Sequence, residues 1–128
     1  MEESEIEKTE SNLTIDLAHE GLALVFKDYQ VLIMKNLWET GTGQSSRDAW
    51  VKANEDMRRD KNIRDSISRA SVINFLNAMV DEGVLGYHEI TGKGGHRKIY
   101  KANMTEKEFW EYVTKVSSEK LRIAAFPG

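Results

Sequence analysis

Apolar residues follow two different rhythms along this chain. Leu13, Ile15 and Leu17 fall at every second position, the spacing of a half-buried strand, and residues 22–26 are all apolar. Segment 13–26 reads as two short strands or, almost equally well, as a helix. From Asp28 the spacing becomes helical. Tyr29, Val31, Leu32, Ile33, Met34, Leu37 and Trp38 cover a wide arc, which predicts a central helix capped by Asp28 and stopped by Gly41 and Gly43. Ser45 or Ser46 caps a second helix, with Ala49, Trp50, Ala53 and Met57 on its apolar face. Residues 58–66 are highly charged and read as a loop. A third helix is expected over 68–82, with Val72, Phe75, Leu76 and Met79 inward and Gly83 as its stop.

Beyond that stop the spacing returns to two. Leu85 and Tyr87 alternate with Gly86 and His88, and Ile99 alternates with Lys98 and Tyr100, around the turn Gly92-Lys93-Gly94-Gly95. This predicts a β-hairpin over 84–102. Thr105 and Glu108 have capping-box spacing and open a last helix carrying Phe109, Trp110, Val113, Val116 and Leu121. The expected fold is mostly α with a small β-hairpin: three helices, hairpin, final helix. That is the order of a winged helix-turn-helix, with the hairpin as the wing. The expected division is an acidic tail over 1–12, a winged-helix domain over 13–104, and a C-terminal helix over 105–128.

Composition narrows the chemistry. The chain has 128 residues and no cysteine. A length of this order supports one core, and the lack of Cys excludes disulfides, thiolate metal sites and a cysteine nucleophile. No apolar run approaches the roughly 20 residues of a membrane span, and an acidic start does not resemble a signal peptide. The expected location is the cytoplasm. His19, His88 and His96 lie on separate elements, so no metal site is expected. No nucleophile elbow, phosphate loop or HExxH pattern occurs, which argues against an enzyme and against any cofactor. Trp38, Trp50 and Trp110 fall at helical spacing and read as packing residues.

The net charge of −3 argues against a nucleic-acid binder, until it is resolved along the chain. Residues 1–20 hold seven acids and one base, a net of −6. The rest hold 17 bases and 14 acids, a net of +3. A stretch so acidic and so poor in apolar residues predicts a disordered tail. The bases gather where a wing needs them: Lys93, His96, Arg97 and Lys98, then Lys101, with no acid between Glu89 and Glu106. On the third helix, Ser68, Arg69, Ser71 and Asn74 are short or cationic donors suited to the major groove, and Asn74 can pair bidentately with adenine. Arg97 suits phosphate or a minor groove. Phe109, Trp110, Val113 and Val116 are more apolar surface than one small core requires, and are assigned to a dimer interface.

The residues also carry a resemblance. Ile33-Met34-Lys35-Asn36-Leu37-Trp38-Glu39 resembles the first-helix signature of the penicillinase-repressor family of winged-helix regulators. Ser68-Arg69-Ala70-Ser71-Val72 and Met79-Val80-Asp81-Glu82-Gly83-Val84-Leu85 resemble its recognition helix and exit. The resemblance spans roughly residues 28–104 and implies a homodimeric, sequence-specific repressor of transcription that binds double-stranded DNA. It names no effector. The alternative is a protein-interaction winged helix, a subunit of a transcription or processing complex.

Overall fold

The computed structural model describes residues 11, 13–60, 66–92 and 95–126. Apart from Ser11, the expected tail over 1–12 lies outside these residues, as does Lys93. The described residues form a mostly helical structure with one small antiparallel sheet. In order come α1 (Asp28–Thr40), β1 (Gln44–Ser45), α2 (Ser46–Arg59), α3 (Arg69–Glu82), β2 (Leu85–Gly92), β3 (Gly95–Ala102) and α4 (Glu106–Ala125). The chain divides into two compact units. One is Ile15–Asn103; the other joins residues up to Thr14 with Met104–Gly128.

The first unit closes around α1, α2 and α3. Ile33, Met34 and Leu37 of α1, Ala49, Ala53 and Met57 of α2, and Val72, Phe75, Leu76 and Met79 of α3 are all buried. Phe26 meets the Phe75 ring edge-on, with centroids 5.6 Å apart. Each helix end has a local cause. The Ser45 hydroxyl accepts from the Asp48 N–H at 3.1 Å and starts α2. Gly83 closes α3 at φ 87°, a left-handed conformation that glycine enters cheaply. Asp56, paired with Lys52 and Arg59 on its own helix, also accepts from Asn36 of α1 at 3.2 Å.

Several expectations are corrected. Segment 13–26 is neither a pair of strands nor a helix. Asp16 organises a turn there, accepting the Ala18 N–H on its side chain at 3.0 Å, and a short 3-10 turn follows at Gly21–Leu24. Leu17, on the alternating stripe, is fully exposed, because no strand lies beside it to bury that stripe. Lys27 rather than Asp28 caps α1; its N–H donates to Gln30 Oε1 at 2.9 Å. The charged stretch 58–66 begins inside α2, which continues to Arg59.

The hairpin is the outer part of a three-stranded sheet ordered β1–β3–β2. The two-residue strand β1 pairs with Tyr100 and Ile99. Gly43 permits this approach. It sits at φ 85°, and a Cβ there would lie 2.9 Å from Ile99 Cγ2. β2 and β3 pair in register from Leu85–Ala102 to Gly92–Gly95. Val84, Leu85 and Tyr100 are buried at the hairpin base, and Gly92, Gly95 and His96 are exposed at its other end.

The second unit contains α4. Its capping box is present as expected: Thr105 Oγ1 accepts the Glu108 N–H at 3.1 Å, and Glu108 Oε1 accepts the Thr105 N–H at 2.8 Å. Lys120 donates to the carbonyls of Ser11 and Leu13, so that segment is tied to this helix. No helix among the described residues is long and apolar enough to cross a membrane.

Candidate nucleic-acid interface

The position of α3 is set by the strand-like residues that precede it. Ile67 is buried, and both of its backbone groups are satisfied. Its N–H donates to Asn54 Oδ1 at 2.9 Å. Its carbonyl accepts from Trp50 Nε1 at 2.9 Å and from Asn54 Nδ2 at 3.3 Å. Asn54 also donates to the Trp50 carbonyl at 3.1 Å. Burying these groups without partners would be costly, so the clasp fixes where α3 begins.

At that beginning the Ser68 hydroxyl accepts the Ser71 N–H at 3.1 Å and donates to Ser71 Oγ at 3.0 Å. Ser68 is therefore a cap, and the two hydroxyls engage each other. Arg69 and Asn74 are exposed, and neither has a hydrogen-bond partner among the described residues. With Val72, Phe75, Leu76 and Met79 inward, helical spacing puts Ala70, Asn74, Asn77 and Asp81 along the outward line. Arg69 lies on its flank.

The hairpin divides the expected wing residues between two faces. Side chains alternate along a strand, and directly opposed residues share a face. One face carries Tyr87, Glu89 and Thr91 with their partners Tyr100, Lys98 and His96. The reverse carries His88 and Ile90 with Ile99 and Arg97, and also Lys101. So His96 and Lys98 stand together, while Arg97 lies on the reverse face, with Ile99 between it and Lys101.

The first face adjoins α3. The Tyr100 hydroxyl donates to Asn77 Oδ1 at 2.9 Å. The Tyr100 ring lies 6.1 Å from the Tyr87 ring, and Lys98 Nζ is 4.5 Å from the centre of that second ring. Burial pushes the Tyr100 phenol above its ordinary value, with the nearby Lys98 charge acting in the opposite direction. Buried Tyr100 thus links Asn77, on the outward line of α3, to the hairpin face that carries Lys98, His96 and exposed Tyr87. Glu89 lies on that face.

Two features escape a linear reading. Asn77 serves as the joint between helix and sheet, and Glu89 sits directly opposite Lys98. Counting strand register outward from the glycine turn would have found the second.

Of the expected dimer residues, Phe109, Val113 and Val116 are 0%, 5% and 3% exposed. Trp110 is half-buried. The exposed large apolar side chains of α4 and its end are Leu121, Ile123 and Phe126. Among the described residues, no group of three or more metal-ligating side chains is close enough to hold an ion. Comparison with known protein families, curated proteins and solved structures finds no match to this chain.

Proposed function

We propose that this chain is a winged helix-turn-helix protein that binds double-stranded DNA, acting as a homodimeric repressor of transcription in the cytoplasm. The observation that carries this reading is the link between the α3 outward line and a cationic hairpin face. The joint is the hydrogen bond from Tyr100 to Asn77. A duplex receiving α3 in its major groove would meet Lys98 and His96 on the adjoining backbone. Arg69 and Asn74 would read base edges. Arg97 and Lys101, on the reverse face, would reach the backbone or minor groove on the far side of the hairpin. The reading is of a binding protein; none of these residues forms a nucleophile–base pair.

The dimer would be built by α4. Trp110, Thr114, Ser117 and Leu121 follow one side of this helix at i, i+4, i+7 and i+11. In an antiparallel pair centred between Lys115 and Val116, Trp110 of one copy meets Leu121 of the other, and Thr114 meets Ser117. The first half of α4 holds Glu106, Glu108 and Glu111 with Lys107 and Lys115, a net of −1, and the second holds Lys120 and Arg122 with Glu119, a net of +1, so the two halves are weakly complementary in charge. Sedimentation of the full chain measures this state.

A second reading, as a protein-binding subunit, draws on the outward line of α3 itself. It carries Ala70 and Asp81, and a carboxylate there repels phosphate. Selection of bound sites from random duplex DNA separates the two. Enrichment of a two-fold symmetric site supports the repressor. A pool that stays random, with no retention at low salt, overturns it.

A further inference from the structure

The hairpin face that adjoins α3 is not uniformly basic. Glu89 is the register partner of Lys98, and its Oε1 lies 4.0 Å from His96 Nδ1. Lys98 is held along this face by the Tyr87 ring. One carboxylate therefore stands between the Lys98 ammonium and the His96 ring, two groups that a phosphate would approach. Its structural value is small. The Glu89 and His96 side chains are 54% and 73% exposed, and water screens a pair so exposed. Its field matters more. A fixed negative charge at this point opposes every duplex, whatever its sequence.

We propose that Glu89 restrains sequence-independent DNA affinity by offsetting the charge of Lys98 on the hairpin face next to α3. The inference rests on the DNA-binding reading above. Non-specific complexes are held almost wholly by phosphate neutralisation, so the number of uncompensated cations sets their strength and salt dependence. With Glu89 present, Lys98 counts for less than its formal charge. The hairpin then adds little affinity for arbitrary DNA, and retention depends more on what α3 contributes.

The test uses the purified full chain and a duplex of arbitrary sequence, with affinity measured by fluorescence anisotropy at several salt concentrations. Glu89→Gln keeps the shape and removes the charge. It should bind more tightly than wild type and have a steeper salt slope, by about one unit for each cation released. That is about a threefold larger loss of affinity per cation between about 50 and 200 mM salt. Glu89→Asp, which keeps the charge, should retain the wild-type slope. In a Lys98→Ala background the gain from Glu89→Gln should shrink, which distinguishes a local offset from a change in overall net charge.

Thermal unfolding of Glu89→Gln should match wild type, because the pair lies in water. Unchanged affinity and slope in Glu89→Gln, against a wild type that binds with clear salt dependence, overturns this inference alone. A wild type that binds no duplex even at the lowest salt overturns the DNA-binding reading and this inference with it.

Discussion

The two ends of α3 are held by different forces. Before its first turn, Ile67 is buried and clasped by Asn54 and Trp50. After its last turn, Val84, Leu85 and one hydrogen bond from Tyr100 to Asn77 hold the hairpin base, and the strands then run out into water. At the first end both backbone groups of Ile67 are satisfied inside the protein. At the second, the charged groups hold little together and remain available. The contrast separates residues that position the surface from residues that would act on a partner. Substitutions at the clasp should cost stability; substitutions at the hairpin tip should cost binding and leave stability alone.

The strongest way to break this contrast is Asn54→Ala. It leaves the buried Ile67 N–H without an acceptor and should destabilise the chain by about 3 kcal/mol in urea unfolding. A wild-type midpoint would mean that the clasp positions nothing. Next is Asn74→Ala on the exposed line of α3. It should leave the urea midpoint in place and relax discrimination at one base pair by about 1–3 kcal/mol, read by competition among single-base variants of a selected site.

Tyr100→Phe probes the joint between the two regimes. It removes the donor to Asn77 and should cost about 1 kcal/mol at neutral pH. Tyr100 also gives the fold an alkaline weakness. Its phenol ionises near 10.0 in the unfolded chain and at a higher pH when buried. Its contribution is therefore complete below about pH 10 and is lost as pH rises through the folded value. Stability of the wild type should fall on that alkaline side, and Tyr100→Phe should flatten the fall, as followed by circular dichroism against pH. The smallest effect is expected for Arg97→Ala. It should weaken binding to all duplexes and reduce the salt slope by about one unit, with an unchanged melting temperature. A lowered melting temperature would place Arg97 with the residues that hold the fold.

The helices were legible because their signals are local. The wide apolar arc of α1, the Ser45 and Ser68 caps, the capping box of Thr105 and Glu108, and Gly83 all act within one or two turns. The hairpin was legible from its alternation and its glycine turn. Segment 13–26 was not, because alternation yields a strand only where another strand can pair with it, and Leu17 found none. The strand β1 was also invisible. Two residues carry no rhythm, and they pair with β3 only because Gly43 allows the approach.

The sequence alone determined which residue types the protein can use: no thiol chemistry, a cationic stretch over 96–101, and polar residues at the start of α3. Tertiary structure decided how they are grouped. Register put His96 and Lys98 on one face with Glu89 and sent Arg97 to the reverse. Burial covered Phe109, Val113 and Val116 and left Leu121 exposed. The physical reason is the same in each case. Caps and periodicity are interactions between near neighbours in the chain. Faces, buried pairs and opposed charges depend on which distant segments meet, and that is settled only when the whole core closes.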